Sequence, residues 1–199
     1  MNHEISARDL KNARAAFDAN EPRNLFYRAA TELVDLALRN ATSLTVGEAL
    51  SVLLQTWNKA YYQYHKFDNA HLSSIENLLS EHQAILADYR HRSIDTLDHR
   101  DESVLKNLFQ AFERVLGPVG AAKTLHLMAP DCFPLWDRKI ADGYKLSLGR
   151  AGSNGDRYWQ FLLISQGQCQ ALKHNDPASL NRLKSIDEYN YCKYTKKWL

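Results

Sequence analysis

The residues best suited to chemistry lie in a segment that begins with Gly-Pro-Val-Gly at positions 117–120. The two glycines, Gly117 and Gly120, can adopt backbone angles closed to other residues, which is typical of a tight turn between helices. The N–H groups of Gly120 and Ala121 would then lie at a helix N-terminus, where unpaired donors and the helix dipole favour an anion. Lys123 adds a positive charge in the same turn. The pattern indicates a phosphate site, although such turns are also common without a ligand.

An acidic residue follows this turn after a short loop. Pro130 ends the second helix, and residues 133–136 lead to Asp137, which immediately precedes Arg138-Lys139-Ile140. Asp is a favoured N-cap residue, so Asp137 is consistent with simple capping of the next helix. The other interpretation is a fixed carboxylate that faces a sugar. This sugar would belong to the nucleic-acid strand whose phosphate is bound by the turn.

A third group of polar and aromatic side chains ends an earlier helix. Thr45 and Glu48 form a capping-box signature that opens this helix. Its far end carries Gln55, Trp57 and Asn58, where a purely structural helix would continue with Leu or Ala. The group is either a surface helix end whose Trp packs on a neighbour, or a cluster that borders a pocket or wedges into nucleic acid.

The elements that must position these residues have helical periodicity throughout, and no segment has convincing strand character. We therefore predict an all-α fold, a helical bundle of two packed subdomains forming one unit over residues 1–199. Ser103 is expected to cap the helix that leads into the turn. The remaining predicted helices cover residues 25–38, 71–90, 158–172 and 180–197, the last following a break at Asp176-Pro177.

Composition restricts the classes of function. The formal charge of +2 excludes a bulk polycation, so contact with nucleic acid requires local clustering of charge. The three cysteines, Cys132, Cys169 and Cys192, include no C-x-x-C pair, which excludes a zinc ribbon or four-cysteine iron–sulfur cluster within this chain. No metal site is predicted. Without a disulfide framework, signal peptide or membrane span, we expect a cytoplasmic protein.

The segment also resembles the helix-hairpin-helix superfamily of DNA glycosylases. Residues 116–120, Leu-Gly-Pro-Val-Gly, match the L-P-G-V-G hairpin of that superfamily with Pro and Gly exchanged. Residues 133–140, Phe-Pro-Leu-Trp-Asp-Arg-Lys-Ile, resemble its F-P-[IL]-x-D-x-x-[VI] segment. Residues 52–56 resemble the helix that carries a Q-x-T cluster beside the DNA-facing cleft. The distance from Gly120 to Asp137 is shorter than in most members.

The resemblance implies a helix-hairpin-helix motif and catalytic acid within residues 103–146, followed by C-terminal helices over residues 156–199. Asp137 would act on the sugar side of the N-glycosidic bond while the base is flipped into a pocket. The implied contacts to double-stranded DNA are Gly117, Val119, Gly120, Ala121, Lys123 and Lys139, and the pocket or wedge residues are Gln55, Trp57 and Asn58.

One departure determines the expected type of enzyme. Bifunctional members place a Schiff-base lysine two residues after the second glycine, where this chain has Ala122. Lys123 lies one residue later, turned by roughly 100° around the helix. We therefore expect a monofunctional, monomeric glycosylase without a cofactor, leaving open a monovalent cation at the hairpin carbonyls.

The target of such an enzyme would be a damaged or modified base, and hypermodified phage bases would make it an antiviral defence enzyme. The alternatives are a non-catalytic DNA-binding module and a helical interaction protein.

Overall fold

The computed structural model describes residues 4–175 and 181–199, without the side chains of residues 173–175. The described residues form helices and contain no β-strand, which confirms the all-α class. The α-helices are α1 (Ala7–Asn20), α2 (Asn24–Leu38), α3 (Val46–Trp57), α4 (Lys59–Tyr62), α5 (Asn69–Glu81), α6 (Gln83–Arg90), α7 (Glu102–Met128), α8 (Arg138–Gly143), α9 (Gly155–Asn175) and α10 (Arg182–Asn190). A 3₁₀ turn covers Ile94–Thr96, and a π-helix, Tyr191–Lys196, continues α10.

The N-terminal helices begin where their capping residues stand. Ser6 and Asp9 form a capping box at the start of α1. Thr45 and Glu48 form another at the start of α3, which confirms the box predicted there. The buried face of α2 packs against α3 and includes Ala30, Val34 and Ala37 of the predicted apolar stripe, whereas Leu25 and Phe26 at the start of that stripe are exposed.

Two predicted helix boundaries were wrong. The helix expected over residues 71–90 is divided into α5 and α6 at His82, whose backbone angles are non-helical. Helix α7 begins at Glu102, before the expected cap Ser103. The residue before it, Asp101, uses its carboxylate to accept hydrogen bonds from Arg92 and Tyr89 rather than from the helix. Tertiary partners therefore replaced the local cap.

Helix α7 changes direction at Gly117. This residue has φ 69° and ψ 168°, while the residues on both sides are helical. The sequence predicted a turn bracketed by two glycines, but Gly120 lies inside the second half of the helix. Pro118 explains the position of the break, because it lacks the N–H that would continue the hydrogen-bond ladder. The second half of α7 is buried from Gly120 to Met128 and forms the centre of the core.

The C-terminal helices pack against different parts of the fold. Helix α9 packs against α7, α10 packs against α1, and the π-helix contacts α8. The start of the helix expected from residue 180, together with the break expected at Asp176-Pro177, lies outside the described residues. All three cysteines are buried and form no disulfide. Within the described parts of the chain, no helix combines the length and apolar character needed to cross a membrane.

Candidate functional site

A cavity of about 720 Å³ opens beside the Gly117 kink. The end of α3, the kink, the residues around Asp137 and the π-helix contribute to its wall. Its aromatic side chains include Trp57, Tyr61 and Tyr191, and its charged side chains include Lys123 and Asp137. Residues far apart in the sequence therefore meet around one space large enough for a small organic ligand.

Side chains from the end of α3 and from α4 compensate for the broken ladder at the kink. The Tyr61 hydroxyl donates to the carbonyl of Val115 at 2.7 Å, and Asn58 Nδ2 donates to the carbonyl of Leu116 at 3.3 Å. These bonds satisfy carbonyls at the end of the first half of α7, which would otherwise be costly to bury. A monovalent cation here remains a prediction, and it would share these carbonyls with two side-chain donors.

Gly117 and Val119 line the cavity, whereas the predicted phosphate contacts of Gly120 and Ala121 were wrong. Ala121 has no exposed surface and Gly120 is also buried, so an anion cannot approach them. The role of Gly120 is close packing, since a Cβ at this position would lie 2.8 Å from Nδ2 of Asn58. The second half of α7 already begins at Pro118. Its first turn therefore starts earlier in the sequence than the two-glycine pattern suggested.

Asp137 is half-buried in the cavity wall, and both carboxylate oxygens are engaged. Oδ1 accepts from the Ile140 N–H at 2.8 Å, so the N-cap interpretation of this residue is confirmed. Oδ2 accepts from the Thr195 hydroxyl at 3.0 Å. A carboxylate has about four lone-pair positions. Asp137 is therefore fixed in orientation while it can still accept from a ligand or a water molecule.

Lys123, which we expected to contact phosphate instead of acting as the nucleophile, lies on the same cavity wall as Asp137. Its ammonium donates to the carbonyl of Trp57, the last residue of α3. Burial lowers the pKa of Lys123 to about 8, against the opposing effect of the Asp137 and Asp187 carboxylates. A substantial share of this amine is therefore neutral near pH 8, although in this geometry it also holds the C-terminus of α3.

The three residues expected to form the pocket or wedge have different positions. Trp57 lines the cavity, stacks on Tyr27 and donates from Nε1 to the carbonyl of Arg23 at 3.1 Å. Asn58 is buried and its amide is used at the kink. Gln55 is exposed and is not part of the cavity wall. Trp57 and Asn58 are thus fixed wall residues, too constrained to act as a wedge.

The outer rim is basic and aromatic. Arg138, Lys139 and Lys196 lie on the wall and are exposed. Lys139 Nζ also donates to the carbonyl of Thr195 at 3.2 Å. Tyr64, at 85% exposure, is the most exposed large hydrophobic side chain among the described residues, and it stands at the same rim. A basic rim with a projecting aromatic ring suits a nucleic-acid strand.

The sequence interpretation missed several wall residues. Arg23, Asp187 and Thr195, to which it gave no role, all line the cavity, as does Tyr191. The interleaved basic and aromatic residues of the C-terminal segment were a usable signal for Tyr191 and its neighbours. No local pattern marked Asp187 or Thr195, because they reach the wall through the packing of α10 against α1 and of the π-helix against α8.

No protein-family model matches the chain, and neither a curated protein nor a solved structure is significantly similar to it. Among the described residues, no group of three or more His, Cys, Asp or Glu side chains is arranged to hold a metal ion.

Proposed function

We propose that this protein is a helix-hairpin-helix DNA glycosylase that hydrolyses the N-glycosidic bond of a damaged or modified base and leaves an abasic site. The observation that carries the proposal is that Asp137 and the Gly117 kink share one cavity. The kink would face the DNA backbone, and the acid would face the sugar of a nucleotide turned into the cavity.

Each part of the cavity suits one part of such a substrate. The exposed side chains of Arg138, Lys139 and Lys196 can neutralise phosphates at the rim. The aromatic wall that includes Trp57 and Tyr61 can stack on an extruded base. Tyr64 is better placed than Gln55, Trp57 or Asn58 to fill the gap left in the duplex, because its ring is unpacked.

The chemistry asked of Asp137 is electrostatic stabilisation combined with orientation of water. Breaking the C1′–N bond builds positive charge on the deoxyribose, and a fixed carboxylate beside C1′ stabilises that charge. The carboxylate can also orient a water molecule whose oxygen bonds to C1′ as the base departs with the bonding electrons. As the abasic sugar forms, the water loses one proton, and the departing base anion takes up one proton through the solvent, so that the products are the neutral base and the abasic sugar.

The size of the cavity bears on the substrate. At about 720 Å³ it is at the upper part of the range typical of small-molecule sites, so it has room for a base that carries a substituent. This supports a modified base as the target. Hypermodified pyrimidines of phage DNA belong to this class, and an enzyme that removed them would act in antiviral defence.

The test of the proposal is the variant Asp137→Asn. Asn keeps the N-cap bond to Ile140 but removes the negative charge, so we expect folding to be preserved and base release to fall by about 100- to 1,000-fold. The assay is mass spectrometry of bases released from several genomic DNAs, including DNA of phages with modified pyrimidines. Full activity of the variant would contradict the role of Asp137.

Asp68→Asn is the matched control. Asp68 is also an N-cap acid, its side chain accepts from the His71 N–H, and it lies outside the cavity wall. We expect this variant to release base at the wild-type rate. Loss of activity in both variants would assign the effect of Asp137→Asn to helix capping instead of charge.

A second candidate reaction is favoured by Lys123. Its lowered pKa and its position on the cavity wall are the features needed for an amine that attacks C1′ and forms a Schiff base. Borohydride reduction during turnover distinguishes the two reactions. A trapped covalent adduct that disappears in Lys123→Met would replace the monofunctional mechanism by a bifunctional one, and no adduct is expected if water is the nucleophile.

The alternative function is a non-catalytic helix-hairpin-helix module that binds double-stranded DNA. It would apply if the wild-type chain released no base from any of these DNAs yet bound duplex DNA with an affinity that falls steeply with salt. A chain that binds no DNA would instead be a helical interaction protein.

A further inference from the structure

The π-helix at residues 191–196 brings a side chain from the far end of the sequence to Asp137. The Thr195 hydroxyl donates to Asp137 Oδ2 at 3.0 Å, across 58 residues of sequence. The backbone of Thr195 is also tied to α8. Lys139, in the first turn of α8, donates from Nζ to the carbonyl of Thr195 at 3.2 Å.

The backbone of this segment departs from regular helical geometry at the place where it meets the acid. Helix α10 is α-helical to Asn190, and the widened turn then covers Tyr191 to Lys196. Wide turns of this kind occur frequently at functional sites. Tyr191, Thr195 and Lys196 from this single turn all line the cavity.

The Thr195 hydroxyl fixes the plane of the Asp137 carboxylate, which the N-cap bond alone cannot do. With only the Ile140 N–H on Oδ1, the carboxylate would be free to tilt about this one contact. The Thr195 hydroxyl holds the second oxygen, so the plane of the carboxylate is fixed while further lone pairs stay available. Fixed orientation matters for a group that must stabilise charge at one atom of the substrate.

We propose that Thr195 is a positioning residue for Asp137, and that the π-helical turn is a part of the active site. This inference rests on the proposed glycosylase function. It assigns no contact with the substrate to Thr195, whose effect is transmitted through the carboxylate.

The test compares Thr195→Val and Thr195→Ser in single-turnover release of a base from a DNA that the wild-type chain processes. Valine keeps the shape but removes the donor, so we expect the rate to fall roughly 10- to 100-fold, which is the loss of one hydrogen bond to a charged group. DNA affinity should change by less than about twofold, because the lost bond acts on the chemical step. Serine restores the donor and should restore most of the rate.

The matched control is Thr31→Val. The Thr31 hydroxyl also bonds within the protein, to the carbonyl of Tyr27, but it lies outside the cavity wall. We expect this variant to keep the wild-type rate. In the Asp137→Asn background, Thr195→Val should cause no further loss, since the two residues act as one unit.

Three results would overturn the inference. They are a Thr195→Val rate equal to wild type, a Thr195→Ser rate as low as that of valine, and a loss confined to DNA affinity. Any of these leaves the glycosylase proposal intact if wild type still releases base. A wild-type chain that releases no base overturns both the proposed function and the catalytic use of Thr195.

Discussion

Lys123 is a buried amine that makes a structural hydrogen bond and also has an unusual pKa. Its ammonium holds the carbonyl of Trp57 at the end of α3, and burial lowers its pKa to about 8 from the ordinary 10.5. Keeping a charge in such a place costs folding free energy. Proteins retain costs of this kind mainly at functional sites, where the unusual environment is needed.

This cost predicts that Lys123→Met is more stable than wild type at neutral pH. Between pH 8 and 10.5 the unfolded chain binds more protons than the folded chain, so wild-type stability rises with pH across this window, and below pH 8 the full penalty applies. We expect a gain in the free energy of unfolding of about 1–3 kcal/mol at pH 7, partly offset by the lost hydrogen bond, and a smaller gain at pH 10. Urea unfolding at both pH values measures it.

Lys11→Met is the control for this prediction, because Lys11 is exposed on α1. Its substitution should change the free energy of unfolding by less than about 0.5 kcal/mol at either pH. A Lys123→Met variant that is less stable than wild type at pH 7 would mean that the bond to Trp57 outweighs the cost of burial.

The positions of single residues were only partly predictable. Asp137 could be identified, because an acid before an apolar helix start has few interpretations and both of them require a fixed carboxylate. Ala121 was misassigned, since a glycine pattern does not reveal that the following helix is enclosed on all sides. Thr195 could not be found at all, because its partner lies 58 residues away.

Among the elements, α7 depends most on a single position. Gly117 has φ 69° and ψ 168°, a combination essentially restricted to glycine. The same residue faces Tyr61, whose hydroxyl caps the carbonyl of Val115. The kink therefore both redirects the helix and opens the cavity wall, which links the local backbone to the site.

We expect Gly117→Ala to lower the free energy of unfolding by at least about 2 kcal/mol. The backbone angles are strained for alanine, and its Cβ would lie 2.9 Å from Cδ2 of Tyr61. Gly167→Ala is the matched control, because Gly167 is an exposed glycine within α9 and a Cβ at this position would meet no neighbouring side chain within 4 Å. That variant should be more stable by about 0.5–1 kcal/mol. Thermal unfolding of both variants tests the difference, and equal behaviour would contradict a special role of the kink.

Helix periodicity in the sequence predicted most elements but not their interruptions. Amphipathic stripes identified α2, α3 and the first half of α7, since burial of one face is a property of the sequence itself. The break at His82 and the π-helix after Asn190 depend on what packs against them, and no short pattern encodes that. The location of the kink was predicted, but the residue that carries it had to be seen in the fold.

Across the whole molecule, His126 joins helix α7, the loop that follows it and helix α2. It lies in the buried half of α7, its Nδ1–H donates to the carbonyl of Phe133 at 2.7 Å, and Nε2 accepts from the Tyr27 hydroxyl at 2.8 Å. Phe133 belongs to the loop that leads to Asp137, and Tyr27 belongs to α2. Burial disfavours the charged ring, so His126 is neutral near pH 7, and in this form one ring nitrogen donates while the other accepts. The loop that positions the acid is thus tied to the core by a residue sensitive to pH.

The whole fold should therefore lose stability in mild acid through His126. Burial lowers the pKa of His126 to about 4 from the ordinary 6.5, so the unfolded chain binds more protons between these values, and stability falls as the pH is lowered through this window. The loss from pH 7 to pH 4.5 attributable to His126 should be about 2–3 kcal/mol. His126→Gln cannot take up this proton, so the difference between its free energies of unfolding at the two pH values should be smaller by that amount. His99→Gln, at an exposed position, should keep the wild-type dependence, and a His126→Gln variant with an unchanged pH dependence would place the acid sensitivity elsewhere.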